Sequence, residues 1–261
     1  MPLPPPPMSL RPTSALAAFL AAMLALPAMG QDFDFAPPPD GRQGNGLAVF
    51  TTLPLAFGEA RDLTAILDGT AEPHWARAVI EGEWGYTPLD TLDAEDLTGR
   101  KRLLLAQPRA LSGRENVALD DWVRGGGSLL MFADPLMTGH SAFGIGDRRR
   151  PQDVALLSPI LARWGLELAF DGDQDARMQF IGWDGLLLPA ALRGELRHRE
   201  PTGGVMADCE IGAEALVARC RIGAGRVLVV ADAALLDADP AAAEPMEAAL
   251  MGLMERAFRP D

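Results

Sequence analysis

Residues 101–135, KRLLLAQPRALSGRENVALDDWVRGGGSLLMFADP, decide the fold class of this chain. The stretch begins with Arg102–Ala106, a short and uninterrupted apolar run. Such a run is typical of a strand that is buried on both faces. Ser112 follows as a helix cap, and Glu115 stands three residues later, as a capping box requires.

The second half of the stretch completes a strand–helix–strand unit. The predicted helix carries an apolar stripe of Val117, Leu119, Trp122 and Val123. It ends at the glycines 125–127, and residues 128–133 form a second buried strand. Joints this short imply a parallel strand pair with a right-handed crossover, so the core is α/β.

The remaining pattern extends this unit over residues 46–261 as a single domain. Further strands are predicted at 47–53, 85–92, 166–170 and 226–231, helices at 73–81, 153–164 and 244–258, and a hairpin at 205–211 and 215–222. Residues 177–198 show no regular pattern. We therefore expect a doubly wound α/β fold with a mostly parallel sheet, similar to glutamine amidotransferases or flavodoxin, and antiparallel strands added near the C-terminus.

Polar side chains follow the predicted parallel strands where each one ends, and ligands of open parallel sheets bind at that edge. The candidate binding residues there are Thr52, Gln107, Arg109, Asp134 and Asp232. The alternative is that Asp134 and Asp232 only cap the segments that follow them. A second candidate contact is the arginine loop, Arg148, Arg149 and Arg150, whose guanidinium groups suit an anion or an acidic partner, or else pair with nearby acids.

Catalytic and cofactor motifs are weak throughout. The turn at 133–136 holds Asp134 where a hydrolase of this topology would place a serine or cysteine nucleophile. The glycines near 223 lack the third member of a dinucleotide fingerprint, and the acidic run 171–175 lacks the glycine and glutamate of a calcium loop. We expect no catalytic residue, no cofactor and no metal. An enzyme that uses Asp134, with or without His140, stays open as the alternative.

The N-terminal residues predict export. An apolar run at 15–26 is shorter than the roughly 20 residues needed to span a bilayer, and small residues at 28 and 30 match a signal-peptidase site. Residues 1–30 are thus expected to be a signal peptide or an N-terminal anchor, and 31–45 a Pro/Gly-rich tether. The chain is then periplasmic, free or tethered to the inner membrane.

The net charge restricts the partners of the chain, and the cysteines bear on its compartment. The formal net charge of −13 disfavours nucleic acid as a partner. The two cysteines, Cys209 and Cys220, both fall on the predicted hairpin. An oxidising compartment favours a disulfide between them, and two separate buried thiols are the alternative.

Several segments resemble the auxiliary component of uncharacterised gliding-motility-type ABC transport systems. The resemblance rests on residues 103–135, on 146–151 (GDRRRP), 156–161 (LLSPIL) and 163–165 (RWG), and on 223–227 (GAGRV) running into Asp232. It implies a non-catalytic extracytoplasmic domain that works with an ABC permease and an ATPase encoded elsewhere. A purely structural envelope protein is a further alternative.

Overall fold

The computed structural model describes residues 46–59, 73–202, 207–237 and 243–259, together with Met1, Thr64, Leu67 and Asp68. The predicted leader and tether therefore lie outside the described residues, apart from Met1. No helix in the described residues is long and apolar enough to cross a membrane.

The described elements are eleven strands and six helices. The strands are β1 (Leu47–Thr51), β2 (Tyr86–Pro88), β3 (Arg102–Ala106), β4 (Ser128–Phe132), β5 (Leu166–Phe170), β6 (Gln179–Trp183), β7 (Leu186–Ala190), β8 (Gly194–His198), β9 (Asp208–Gly212), β10 (Val217–Ile222) and β11 (Gly225–Val230). The helices are α1 (Trp75–Trp84), α2 (Ala94–Leu97), α3 (Gly113–Arg124), α4 (Ser158–Arg163), α5 (Ala234–Asp237) and α6 (Ala243–Phe258).

Seven strands form one mixed sheet in the order β2-β1-β3-β4-β11-β10-β9. The first five run parallel to one another, and the pairings β10–β11 and β9–β10 are antiparallel. The pairs β5–β8 and β6–β7 form two small antiparallel sheets. The architecture is therefore mixed α/β, with a mostly parallel sheet and antiparallel strands added to it.

Helices cover both faces of this sheet. Gly225 of β11 lies so close to Val123 of α3 that a Cβ would not fit there. The next residue of β11, Arg226, donates instead to the carbonyl oxygen of Arg259, which directly follows α6. Because alternate residues of a strand face opposite sides, α3 and α6 lie on opposite faces.

The strand–helix–strand unit of residues 102–133 folds as expected, with one exception. The Ser112 hydroxyl accepts from the Glu115 N–H, and the Glu115 carboxylate accepts from the Ser112 N–H in return. Leu119 and Val123 are buried, but Val117 is 52% exposed. Val117 is therefore wrong as a member of the apolar stripe, because it lies on the solvent side of α3.

Two other predictions need correction. The helix predicted at 153–164 begins only at Ser158, because Pro159 fits only the first turn of a helix. Residues 177–198, which showed no pattern, hold β6, β7 and β8. The hairpin signal there was Asp184-Gly185, two residues with positive φ in the turn between β6 and β7.

The C-terminal hairpin places the two cysteines opposite each other. Cys209 of β9 is the ladder partner of Cys220 of β10, and a disulfide joins them. Their Cα atoms are 4.0 Å apart. The bond ties the outermost strand of the large sheet to its neighbour.

Candidate functional site

The parallel strands end at one edge of the sheet, which we call the strand-end edge and define by Thr52, Gln107, Asp134 and Asp232. These residues follow β1, β3, β4 and β11, and the four strands are neighbours in the sheet. Gln107, Asp134 and Asp232 are each at most 1% exposed. The edge predicted from the sequence therefore exists, but its polar groups lie beneath the surface.

Gln107 is the centre of this edge. Its amide nitrogen donates to the carbonyl oxygens of Asp134 (3.1 Å) and Gln152 (2.9 Å), and its amide oxygen accepts from the Asp134 N–H at 2.9 Å. Its φ of 41° is a left-handed value that few residues other than glycine adopt. Three hydrogen bonds hold the side chain in place, so Gln107 joins the end of β3 to the turn after β4 and to the loop at 152.

Thr52 extends the same network towards β1. Its hydroxyl donates to the Gln107 carbonyl oxygen and accepts from the Gln152 N–H at 2.9 Å. The loop that carries Gln152 is thus held by both Thr52 and Gln107. These two side chains position the loops above the sheet and are occupied by that role.

Asp134 and Asp232 both bind backbone N–H groups with each of their carboxylate oxygens. Asp134 accepts from Leu136 at 2.8 Å and from Ala233 at 3.1 Å. Asp232 accepts from Ala191 at 2.9 Å and from Ala234, the first residue of α5, at 2.6 Å. This geometry is that of capping residues, the alternative that the sequence left open for these two positions.

Burial changes the acidity of both groups. Desolvation raises the pKa of Asp134 to about 6, although the N–H groups of Leu136 and Ala233 oppose the change. Desolvation, together with the charge of Asp134, raises the pKa of Asp232 to about 8. A perturbed carboxylate pair also occurs at catalytic sites, but here each oxygen already has a backbone partner.

Arg109 contacts residues of β1, α3 and the segment after β2. Its guanidinium forms a bidentate pair with Glu115, at 2.7 and 3.0 Å, and donates to the Asp90 carbonyl oxygen at 3.1 Å. It also lies over the ring of Phe50. The bond to Arg109 is the largest cause that lowers the pKa of Glu115 to about 2.

Two clefts open above the strand-end edge. The polar cleft, of about 410 Å³, contains carboxylates, imidazoles, a hydroxyl and a guanidinium, namely Glu59, His74, His140, Ser141, Arg150, Asp153 and Asp237. The apolar cleft, of about 270 Å³, includes Phe57, Tyr86 and Phe143, with Arg149 at its margin. The loops after β1, β4 and β11 contribute to the polar cleft, as expected for a ligand site at this edge.

The arginine loop reaches both clefts. Arg149 lies over the Phe143 ring, 4.2 Å from its centroid, and pairs with Asp147 at 2.7 Å. Arg150 pairs with Asp153 at 2.7 Å and donates to the Phe143 carbonyl oxygen at 2.9 Å. Arg148 is exposed and lines neither cleft.

Asp237 is the carboxylate of the polar cleft whose pKa is raised. Desolvation and the nearby Glu59 raise its pKa, whereas His140 and the Gly139 N–H favour its charged form. A side chain at position 139 would collide with the Asp237 carboxylate, so glycine allows this approach. Asp237 and His140, rather than Asp134 and His140, are thus the acid–imidazole neighbours of this site.

His74 supports the cleft from below. Its Nδ1 accepts from the Ala76 N–H at 3.2 Å, which caps α1, and its ring also bonds to the backbone of Leu236. Burial lowers the pKa of His74, which favours the neutral form of its ring.

Five polar residues of the cleft were not predicted as site residues from the sequence: Glu59, His74, Ser141, Asp153 and Asp237. The available signal was position, because Glu59 follows β1 and Asp237 follows β11 within a few residues. Among the described residues, no cluster of three or more His, Cys, Asp or Glu side chains is arranged to hold a metal ion. The polar cleft can bind a ligand through hydrogen bonds and carboxylate–cation contacts.

Comparison with known proteins adds little. No protein-family model matches the chain, and no curated protein does. Among solved structures, it is similar to the exo-beta-1,4-mannosidase Op5Man5 from Opitutaceae bacterium strain TAV5, at 16% identity and a TM-score of 0.47 over 83% of this chain and 36% of that one. It is similar to Gan42B, a GH42 beta-galactosidase, at 14% identity and a TM-score of 0.47 over 81% of this chain and 30% of that one.

A third similar structure is the mmIFT52 N-terminal domain, with 14% identity and a TM-score of 0.48 over 83% of this chain and 98% of that one. The chain spans about a third of the length of the two glycosidases. At such low TM-scores these likenesses carry no argument about fold family or activity.

Proposed function

We propose that this chain is a non-catalytic, extracytoplasmic accessory domain of an ABC-type transport system. Its α/β domain is of the glutamine-amidotransferase or flavodoxin-like kind, and its polar cleft receives a peptide segment of the permease partner. The proposal joins the resemblance in residues 103–135, 146–165 and 223–232 to the geometry of the strand-end edge.

One observation carries the proposal. The carboxylate of Asp134, in the turn where a hydrolase of this topology places its nucleophile, and the carboxylate of Asp232 use all four oxygens to accept backbone N–H groups. The strand ends therefore hold the loops rigidly instead of presenting reactive groups. A fixed set of loops around a polar cleft favours recognition over bond cleavage.

The lining of the polar cleft supports a peptide ligand. Ser141 and His140 offer hydrogen-bonding groups, and the Asp237 carboxylate suits a cationic side chain or an amino terminus. The adjoining apolar cleft, with Phe57 and Tyr86, suits a neighbouring apolar side chain. The two clefts share Leu53, Pro54 and Gly58, so one extended segment spans both.

The test is site-specific photocrosslinking in cells that produce the chain with its transporter partners. A photoreactive residue replaces Ser141 at the polar cleft, and the control replaces Thr98, which precedes β3 at the opposite edge of the sheet. We expect crosslinks to an identified permease from position 141 and none from position 98. Equal crosslinking at both positions, or fractionation of the chain with the cytoplasm, would contradict the proposal.

The enzyme alternative receives less support from the geometry. Asp134 is 1% exposed, both of its oxygens are engaged, and the neighbour of His140 is Asp237. A screen of ester and amide hydrolysis distinguishes the two functions. Turnover by the purified chain that is lost in Asp134→Asn, with the fold retained, would establish the enzyme instead.

A further inference from the structure

A third cavity, separate from the strand-end edge, is lined by arginines. This arginine groove, of about 300 Å³, lies between the β10–β11 hairpin and α6 and is lined by Arg219, Arg221, Arg226 and Arg256, with no acidic residue in its lining. In a chain of net charge −13, four arginines line this one cavity.

The arginine groove lies at the edge of the sheet opposite to the strand-end edge. Its lining includes Gly225 and Arg226, the first residues of β11, whereas Asp232 follows the end of that strand. A ligand there would not compete with one in the polar cleft.

Three of the arginines are oriented by contacts outside the groove. Arg256 and Arg219 share the Asp184 carboxylate, at 2.7 and 3.2 Å, and both guanidinium groups lie near the ring of Trp183. Arg226 donates to the Arg259 carbonyl oxygen at 2.8 Å. Arg256 also donates to the carbonyl oxygens of Gly252, at 3.0 Å, and Asp184. A guanidinium carries five N–H donors, more than these contacts use, so donors remain for a ligand.

The hairpin itself places like charges together. Arg221 and Arg226 are directly opposite each other in the β10–β11 ladder. Directly opposed like charges destabilise a strand pair. Acidic residues of β9 moderate this charge from the other side, since Asp208 is opposite Arg221 and Glu210 is opposite Arg219. An anion seated between the arginines would offset the remaining repulsion.

We propose that the arginine groove binds a phosphate group. The guanidinium groups come from three elements, β10, β11 and α6, and so approach from several directions. A tetrahedral phosphate has enough oxygens to accept from all of them, whereas a planar carboxylate has two. Arginine is the side chain best suited to such multidentate contacts with phosphate. A phospholipid headgroup and a free phosphorylated molecule share this chemistry.

The experiment measures the binding of inorganic pyrophosphate by calorimetry at low ionic strength, where charge contacts are least screened. We expect the purified chain to bind it, and Arg221→Gln/Arg226→Gln to bind at least about tenfold more weakly. The matched control is Arg197→Gln, which removes an exposed arginine of β8 outside the groove. Circular dichroism and the melting temperature without ligand establish that each variant is folded.

Three results would overturn the proposal: no binding by the wild-type chain, equal binding by the double variant, or citrate binding as tightly as pyrophosphate. A second arm identifies the source of the phosphate. Co-sedimentation with phosphatidylglycerol vesicles, but not with phosphatidylcholine vesicles, that is lost in the double variant assigns a lipid headgroup. Pyrophosphate binding without vesicle binding assigns a free phosphorylated ligand.

Discussion

Asp134 and Asp232 end two neighbouring parallel strands, and the charge of one raises the pKa of the other. The pair is buried, and each carboxylate accepts two backbone N–H groups. Its pKa values, about 6 and about 8, lie above the ordinary value of 3.8. The folded state therefore binds more protons than the unfolded state between about pH 4 and pH 8.

The first prediction concerns pH. Because the folded-state pKa values are raised, the pair contributes stability that is fully present below about pH 4 and is lost as pH rises through about 6 and then 8. We expect the melting temperature to fall between about pH 5 and pH 9. Asp232→Asn, which cannot ionise, should melt lower at pH 5 but with a shallower slope. An unchanged slope in that variant would show that Asp232 does not titrate in this range.

The second prediction concerns Gln107. Gln107→Ala leaves the buried Asp134 N–H and the Gln152 carbonyl oxygen without their partner. We expect a loss of about 2 kcal/mol in the free energy of unfolding, measured by urea denaturation. The control is Gln174→Ala, whose amide bonds to Asp171 and Arg193 near the surface. Equal losses in the two variants would contradict a central role for Gln107.

The third prediction concerns Arg109 and Glu115. The depressed pKa of Glu115 contributes stability that is present above its ordinary value of 4.5 and is lost as pH falls towards about 2. Arg109→Ala removes the main cause, so the variant should be less stable than the wild type at pH 7, with a gap that narrows in acid. The control is Arg114→Ala, which removes an exposed arginine of α3, the helix that carries Glu115. This variant should change the free energy of unfolding little.

A different outcome would return Arg109 to the role that the sequence predicted. If Arg109→Ala retains full stability at pH 7 but no longer crosslinks to the permease through position 141, then Arg109 is a contact residue. Urea unfolding at several pH values and the crosslinking assay, applied to the same variant, distinguish the two roles.

The fourth prediction concerns Asp120, which is fully buried in α3. Its carboxylate accepts from Arg124 at 2.9 Å, from Trp164 Nε1 at 2.9 Å and from Arg163. Asp120→Ala leaves these donors unpaired and should cost about 3 kcal/mol of unfolding free energy. Both this variant and its control are measured by urea denaturation. The control is Asp121→Ala at the exposed neighbouring position, which should change the free energy of unfolding little.

The sequence predicted the strands with continuous apolar runs best. Arg102–Ala106 has its expected bounds, because a buried apolar run marks its own limits. Leu166–Phe170 also has its expected bounds, although Leu166 is its only buried residue. The strand Leu186–Ala190 escaped notice because Pro189 argues against a strand interior. Its partner Gln179–Trp183 is mostly exposed and lacks an apolar run.

The site was predicted in outline only. The strand-end positions of Thr52, Gln107, Asp134 and Asp232 follow from strand order, which the parallel pattern supplies. The burial of these groups does not, because it depends on loops that close over them from distant parts of the chain. Gln152 reaches Thr52 across 100 residues, a contact that no local pattern encodes.

The cystine in the C-terminal hairpin affects how the chain can be handled. Strand β9 is the margin of the large sheet, and its backbone ladder to β10 comprises five residue pairs. In a reducing cytosol, those pairs and the packing of Ile211 against the core would hold it. Fraying would then uncover main-chain donors and acceptors that can recruit a strand from another molecule. Protein expressed in a reducing cytosol should therefore aggregate more readily than protein that folded under oxidising conditions.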